Sequence, residues 1–144
     1  MPNMMDSPFK SISILYRKSH IWLNSGCAQY GLTAAQAAVI LIVCDFGELT
    51  QDDITKRLRL DKSVIAKTVS KLESSGFMVR TANAKDKRTY IIKPTEKAWQ
   101  AYPYVKEQID LCFQRMTSQM TDEERSEFKR LLIMAAEASL EPGD

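Results

Sequence analysis

TQDDITKRLRLDKSVIAKTVSKLESSGF, residues 50–77, reads as two helices and the turn between them. Thr50 is an N-cap hydroxyl, and Asp52 and Asp53 follow in the first turn, where carboxylates complement the helix dipole. Ile54 and Leu58 stand one turn apart and give the short first helix its buried side. Arg59-Leu60 turns the chain, and Asp61 is a natural N-cap for a second helix, Lys62 to Ser74. Ile65, Thr68, Val69 and Leu72 recur at helical spacing and should face inward. That leaves Lys62, Ser63, Val64, Ala66, Lys67, Ser70 and Lys71 on the remaining sides. Gly76, past Ser75, is free to take the left-handed conformation that closes a helix.

Downstream, Phe77 to Thr81 and Thr89 to Lys93 are rich in β-branched and aromatic residues and read as paired strands. Their connection, Ala82 to Arg88, is too long for a tight turn and should project, with Lys85, Lys87 and Arg88 around Asp86 at its tip. Upstream, Phe9, Ile12, Leu15, Tyr16, Ser19, Leu23 and Cys27 share one helical face, with Asn24-Ser25-Gly26 and Gly31 expected as its fraying end. Thr33 and Gln36 form a capping box for a helix apolar on nearly all sides, Ala37 to Val43, read as the buried centre and ending near Asp45-Phe46-Gly47. In the last third, Ala98, Tyr102, Val105, Ile109, Cys112, Met116 and Met120 make a helical seam, flawed only by Pro103. Such a seam serves either another chain or this one. Thr121-Asp122-Glu123-Glu124 opens a final helix with Phe128, Leu131, Leu132, Ala135 and Ala138 on one side, and the tail Glu141-Pro142-Gly143-Asp144 should fray. The fold class is therefore mainly α with a small β-hairpin.

Charge is divided unevenly. The 144 residues hold 20 bases and 18 acids, but from Lys56 to Lys97 there are twelve bases against four acids. The segment from residue 98 onward holds five bases against nine acids. A local basic excess suits a polyanionic partner or a solvated face. Composition, 44% hydrophobic and 26% charged, is that of a folded globular chain. No apolar run spans a bilayer, and Met1 to Lys10 lacks a signal-peptide layout, so the expectation is a cytoplasmic protein with no membrane partner. Cys27, Cys44 and Cys112 have no metal-binding spacing, His20 is the single histidine, and there is no Gly-rich phosphate loop. The reading is of a non-enzyme with no cofactor and no metal.

Helix, short helix, turn, helix and a hairpin with a basic tip form the layout of a winged helix-turn-helix. The second helix of such a unit enters the major groove, where base edges present distinct donor, acceptor and methyl patterns. Ser63 and Lys67 are suited to hydrogen bonding there, Val64 and Ala66 to thymine methyls, and Lys62 and Lys71 to phosphates. A guanidinium at Arg88 can enter a narrow A·T-rich minor groove, and Asp86 either tethers a basic neighbour or simply makes the turn.

The chain resembles the MarR family of transcriptional regulators over nearly its whole length. The matching residues are Leu32-Thr33-x-x-Gln36, Glu48-Leu49-Thr50-Gln51, Leu60-Asp61-Lys62-Ser63-Val64, Leu72-Glu73-x-x-Gly76-Phe77 with Arg80, and Asp86-Lys87-Arg88 with Thr95. It departs from the family at Pro94-Thr95-Glu96-Lys97-Ala98, where Leu-Thr-x-x-Gly is usual, and at Val64 and Ala66, where hydroxyl residues are common. The resemblance implies a homodimer on double-stranded DNA, probing a pseudo-palindromic operator, usually as a repressor. It divides the chain into a dimerisation helix (1–32), a winged DNA-binding domain (33–94) and C-terminal dimerisation helices (95–144). It also implies release by a phenolic-type ligand bound between the dimer helices and the winged unit, where Tyr16, His20 and Trp22 are candidate lining residues, or by cysteine oxidation. The oxidation-sensing branch carries its cysteine early in the first helix, where this chain has Phe9 and Ile12. Cys27, beside Gly26, is the expected exposed thiol and redox candidate; Cys44 and Cys112 are expected to be buried and inert. The competing class is a winged-helix protein-interaction module that never touches DNA.

Overall fold

A computed structural model describes residues 6–142; the sequence readings at Met1–Met5 and Gly143-Asp144 lie outside the described residues. Among the described residues, six α-helices and three short strands follow in the order α1 (Pro8–Cys27), α2 (Ala34–Phe46), β1 (Leu49–Thr50), α3 (Gln51–Leu58), α4 (Lys62–Ser74), β2 (Met78–Ala82), β3 (Tyr90–Pro94), α5 (Glu96–Met116) and α6 (Asp122–Ala138). A 3₁₀ turn, Ala28–Tyr30, joins α1 to α2.

Local hydrogen bonding sets most of these boundaries. Thr33, Thr50 and Thr121 each open a helix with a reciprocal capping box, closed by Gln36, Asp53 and Glu124. Thr95 caps α5 and also donates its hydroxyl to the Gly76 carbonyl at 2.6 Å, tying the start of α5 to the α4–β2 turn. The strands form one antiparallel sheet in the order β1-β3-β2. The register pairs Leu49 with Ile92 and Arg80 with Ile92 on opposite edges of β3. The two-residue β1 is absent from the sequence reading, because so short a strand has no period to detect. Each hairpin strand also runs one residue later than the composition suggested.

The core is built on α2, whose Val39, Ile40 and Val43 are fully buried. Ile54 of α3, Ile65, Val69 and Leu72 of α4, Phe77, Ile92 and Val105 close around them. The seam of α5 is used inside this chain along its front half: Ala98 and Val105 are buried, and Tyr102 and Ile109 pack against the same cluster. Pro103 sits within that helix.

The end of α1 overturns one expectation. Asn24-Ser25-Gly26 is helix rather than a frayed end, and Cys27 is completely buried. Tyr104 donates to the Gly26 carbonyl at 2.6 Å, and a Cβ at Gly26 would collide with the side chain of Gln108. A residue larger than glycine at this position would require the flexible end of Gln108 on α5 to move aside. Asn24 also accepts from the Ala34 amide at 2.7 Å, satisfying one of the open donors of α2.

Elsewhere α1 and α6 expose apolar surface. Phe9, Ile12 and Tyr16 are more than half exposed, and Leu131, Leu132, Ile133 and Met134 are 42–54% exposed. No residue of α6 is buried. Its ties to α5 include Arg125 Nε donating to Thr117 Oγ1 at 2.9 Å and the stacked Phe113–Phe128 rings. No single helix among the described residues is long and apolar enough to cross a membrane.

Candidate nucleic-acid interface

The turn between α3 and α4 is sharp because Arg59 adopts the left-handed region, φ 55°, a conformation that side chains with a Cβ rarely take. Asp61 occupies the N-cap position of α4, as the sequence reading has it, though its side chain makes no capping hydrogen bond. Position in the turn, not a side-chain cap, starts this helix.

The faces of α4 divide as the spacing predicts. Ile65, Thr68, Val69 and Leu72 are buried, which drives Lys62, Ser63, Lys67, Ser70 and Lys71 outward and leaves Ala66 half-buried. Ala66, Lys67, Ser70, Lys71 and Ser74 line a shallow outer groove of about 480 Å³. Ser74 is the member of that groove the sequence reading did not single out. Val64 is 40% exposed and also borders the cleft described below. Lys62 Nζ lies 3.8 Å from Asp52 of α3 in a solvent-exposed pair.

The connection between β2 and β3, residues 83–89, is held by its own polar groups. Asn83 Nδ2 donates to Thr89 Oγ1 at 2.9 Å, and the amides of Lys85 and Arg88 donate to the side chains of Asn83 and Asp86. Asp86 therefore fills both roles the sequence left open. It accepts the backbone amide of Arg88 as a turn residue, and it accepts Arg88 Nε at 3.1 Å and Nη2 at 3.3 Å as a tether. Those bonds, the side-chain one foremost, hold the Asp86 carboxyl below its ordinary range. The Arg88 side chain remains 89% exposed, and Lys85 and Lys87 are exposed beside it.

Arg88 also borders a recess of about 250 Å³ between the hairpin and the start of α3, where Gln51, Arg80 and Tyr90 meet it. Gln51 and Tyr90 were not singled out as candidates. The missing signal is β1, which brings the α3 N-terminus against β3.

A second opening, about 950 Å³, lies between α1, α2, α5 and the start of α4. Tyr16 and His20 line it together with Cys112, Ile109, Leu60 and Val64. The Tyr16 and His20 rings are 4.2 Å apart, and His20 Nδ1 lies 2.8 Å from the Tyr16 carbonyl, to which a protonated Nδ1 donates. Trp22 is not part of this cleft, contrary to expectation; the Arg115 guanidinium lies 5.5 Å from its ring centroid. Two residues further along a helix is about 200° around it, which carries Trp22 to the other side.

The cysteines also rearrange. Cys27, expected to be exposed, is the most deeply buried, and burial followed by the nearby Cys112 pushes its thiol up. A reactive thiol needs the opposite shift. Cys44 is buried and pushed up to about 11, by burial and then by Asp45. Cys112, expected to be buried, is half-buried at the cleft, and burial raises its thiol despite Arg115.

Comparison with known proteins agrees with this geometry. Residues 30–89 match the model of the MarR family. The HTH-type transcriptional repressor MdtR of Bacillus subtilis (strain 168) is 23% identical over 129 residues, covering 90% of this chain and 83% of that protein. Two crystal structures share the fold. A mutant MarR from E. coli complexed with operator DNA superposes with a TM-score of 0.79 at 23% identity, over 88% of this chain and 91% of that one. CouR from Rhodococcus jostii RHA1 bound to p-coumaroyl-CoA gives 0.83 at 22% identity, over 98% of this chain and 99% of that one. Residues 30–89 thus resemble the MarR family, and the chain as a whole has the winged helix-turn-helix fold of these two structures.

Proposed function

We propose that this chain is a MarR-type transcriptional regulator that binds double-stranded DNA by placing α4 in the major groove and the β2–β3 wing against the adjacent minor groove. The observation that carries the reading is that the exposed side of α4 (Lys62, Ser63, Lys67, Ser70, Lys71) and the tethered, solvent-facing Arg88 stand on elements packed together, α4 on β2 and β2 on β3. Lysines at both ends of α4 suit phosphates, while Ser63, Val64, Ala66 and Lys67 suit base edges. Lys85, Asp86, Lys87 and Arg88 make the wing.

The domain division at residues 1–32, 33–94 and 95–144 belongs to the same proposal. The apolar surface left open on α1 and α6 supports a homodimer, and a twofold pair of winged units would read a pseudo-palindromic operator. The role we assign is that of a repressor, the word that the name of MdtR uses of that protein, and the place we assign is the cytoplasm. Its release would come from a small phenolic-type ligand in the cleft bordered by Tyr16 and His20. That cleft reaches Leu60 and Val64 at the start of α4, so an occupant would touch the reading helix directly.

Selection of bound duplexes from a random pool tests the reading. A recovered site with inverted half-sites about one helical turn apart supports it. Failure to enrich any sequence, with affinity insensitive to salt, would favour the protein-interaction class.

A further inference from the structure

Glu73 and Arg80 stand out in the sequence motif, yet neither has a part in the contacts proposed above. Glu73 lies on the last turn of α4, and Arg80 is the middle residue of β2. Arg80 directs two donors at one Glu73 oxygen, Nε at 3.1 Å and Nη2 at 2.7 Å. The same guanidinium sits 5.2 Å from the ring centroid of Tyr90, the first residue of β3 and two residues from Arg88. A continuous set of contacts thus runs from the reading helix through β2 and β3 to the base of the wing tip. The pair is also sheltered: the side chains are 34% and 28% exposed, whereas each of the Lys62–Asp52, Arg88–Asp86 and Lys93–Glu48 pairs has a partner more than half exposed.

We infer that Glu73 and Arg80 are positioning residues that set the angle between α4 and the wing, so that both grooves are engaged at once. This rests on the DNA-reading proposal above. Two reading elements joined by a loose hinge gain little from each other, because the second must be ordered when the first binds. A fork of two hydrogen bonds plus a ring contact removes that cost beforehand. The opposing view is that Arg80 is simply another phosphate contact, but its Nε and Nη2 are already engaged by a carboxylate that cancels its charge.

The two views predict opposite signs. The probe is a fluorescein-labelled duplex recovered from the random pool, titrated by anisotropy across a salt series, with thermal denaturation of each variant as the check on folding. If the pair positions, Glu73→Gln and Arg80→Lys each weaken binding roughly fivefold. The slope of log affinity against log salt stays as in the wild type, and Arg88→Ala costs less in the Glu73→Gln background than in the parent. If Arg80 contacts phosphate, Glu73→Gln binds more tightly, and Arg80→Lys stays near wild type while Arg80→Gln lowers the salt slope by about one. Either of those results overturns the inference. If Arg88→Ala made in the parent chain leaves binding unchanged, the wing does not read DNA and the proposal on which this inference rests fails at that point, so the two failures are distinguishable.

Discussion

Replacing Arg88 with alanine isolates the wing. The turn that presents it does not need the guanidinium, because the Arg88 amide donates to Asp86 Oδ1 and the Thr89 amide to the Asp86 carbonyl, both at 3.1 Å. With 89% of the side chain in solvent, removing it opens no cavity, and the melting temperature should not move. What is lost, on the proposed function, is the group that enters the minor groove. A guanidinium in the minor groove should be worth about 1–3 kcal/mol per half-site, roughly 5- to 150-fold in affinity. The loss should also depend on sequence, because A·T-rich flanks narrow the groove and deepen its negative potential. The assay compares wild type and Arg88→Ala on two duplexes that share the recovered core but carry A·T-rich or G·C-rich flanks. A large loss on the first and a small one on the second is expected. Equal losses on both would mean that Arg88 contacts phosphate only, and no loss on either would mean that the wing does not read DNA.

Three further outcomes follow from burial and titration. Ile65 is fully buried beneath the outer face of α4, so Ile65→Ala should cost about 2–5 kcal/mol in urea denaturation, and a change under 1 kcal/mol would mean that α4 is not anchored there. Native protein should label with a thiol reagent first at Cys112, and at Cys27 and Cys44 only on unfolding; early labelling of Cys27 would contradict its burial. The Cys44 thiol is pushed from its ordinary 9.0 up to about 11, so as pH rises above 9 the unfolded chain loses its proton first and gains the advantage. Stability should fall between those values and the fall should shrink in Cys44→Ala; a urea midpoint that holds steady or rises there would refute the assignment.

Much of the interface was legible because it depends on neighbours in the chain. The bounds of α4 and the inward set Ile65, Thr68, Val69 and Leu72 follow from a 3.6-residue period, and what is not inward is left exposed or half-buried. The tether from Asp86 to Arg88 spans two residues, so it was foreseeable as one of two roles. Tyr16, His20 and Trp22 show the limit of that kind of reading. Aromatic character put all three in one cleft, but helical rotation admits the first two and sends Trp22 to Arg115.

The sequence by itself determined where α2, α3 and α6 begin, since each capping box is a pair of hydrogen bonds closed within three residues. It also determined which side of α4 is polar. Only the tertiary structure decided that Gly26 and Cys27 lie under α5, through a hydrogen bond between residues 78 positions apart. The same holds for β1, which exists because β3 comes back to pair with it. Local hydrogen bonds and periodicity are properties of a short segment. Burial of a given atom depends on which distant segment arrives beside it, and no window of neighbouring residues contains that information.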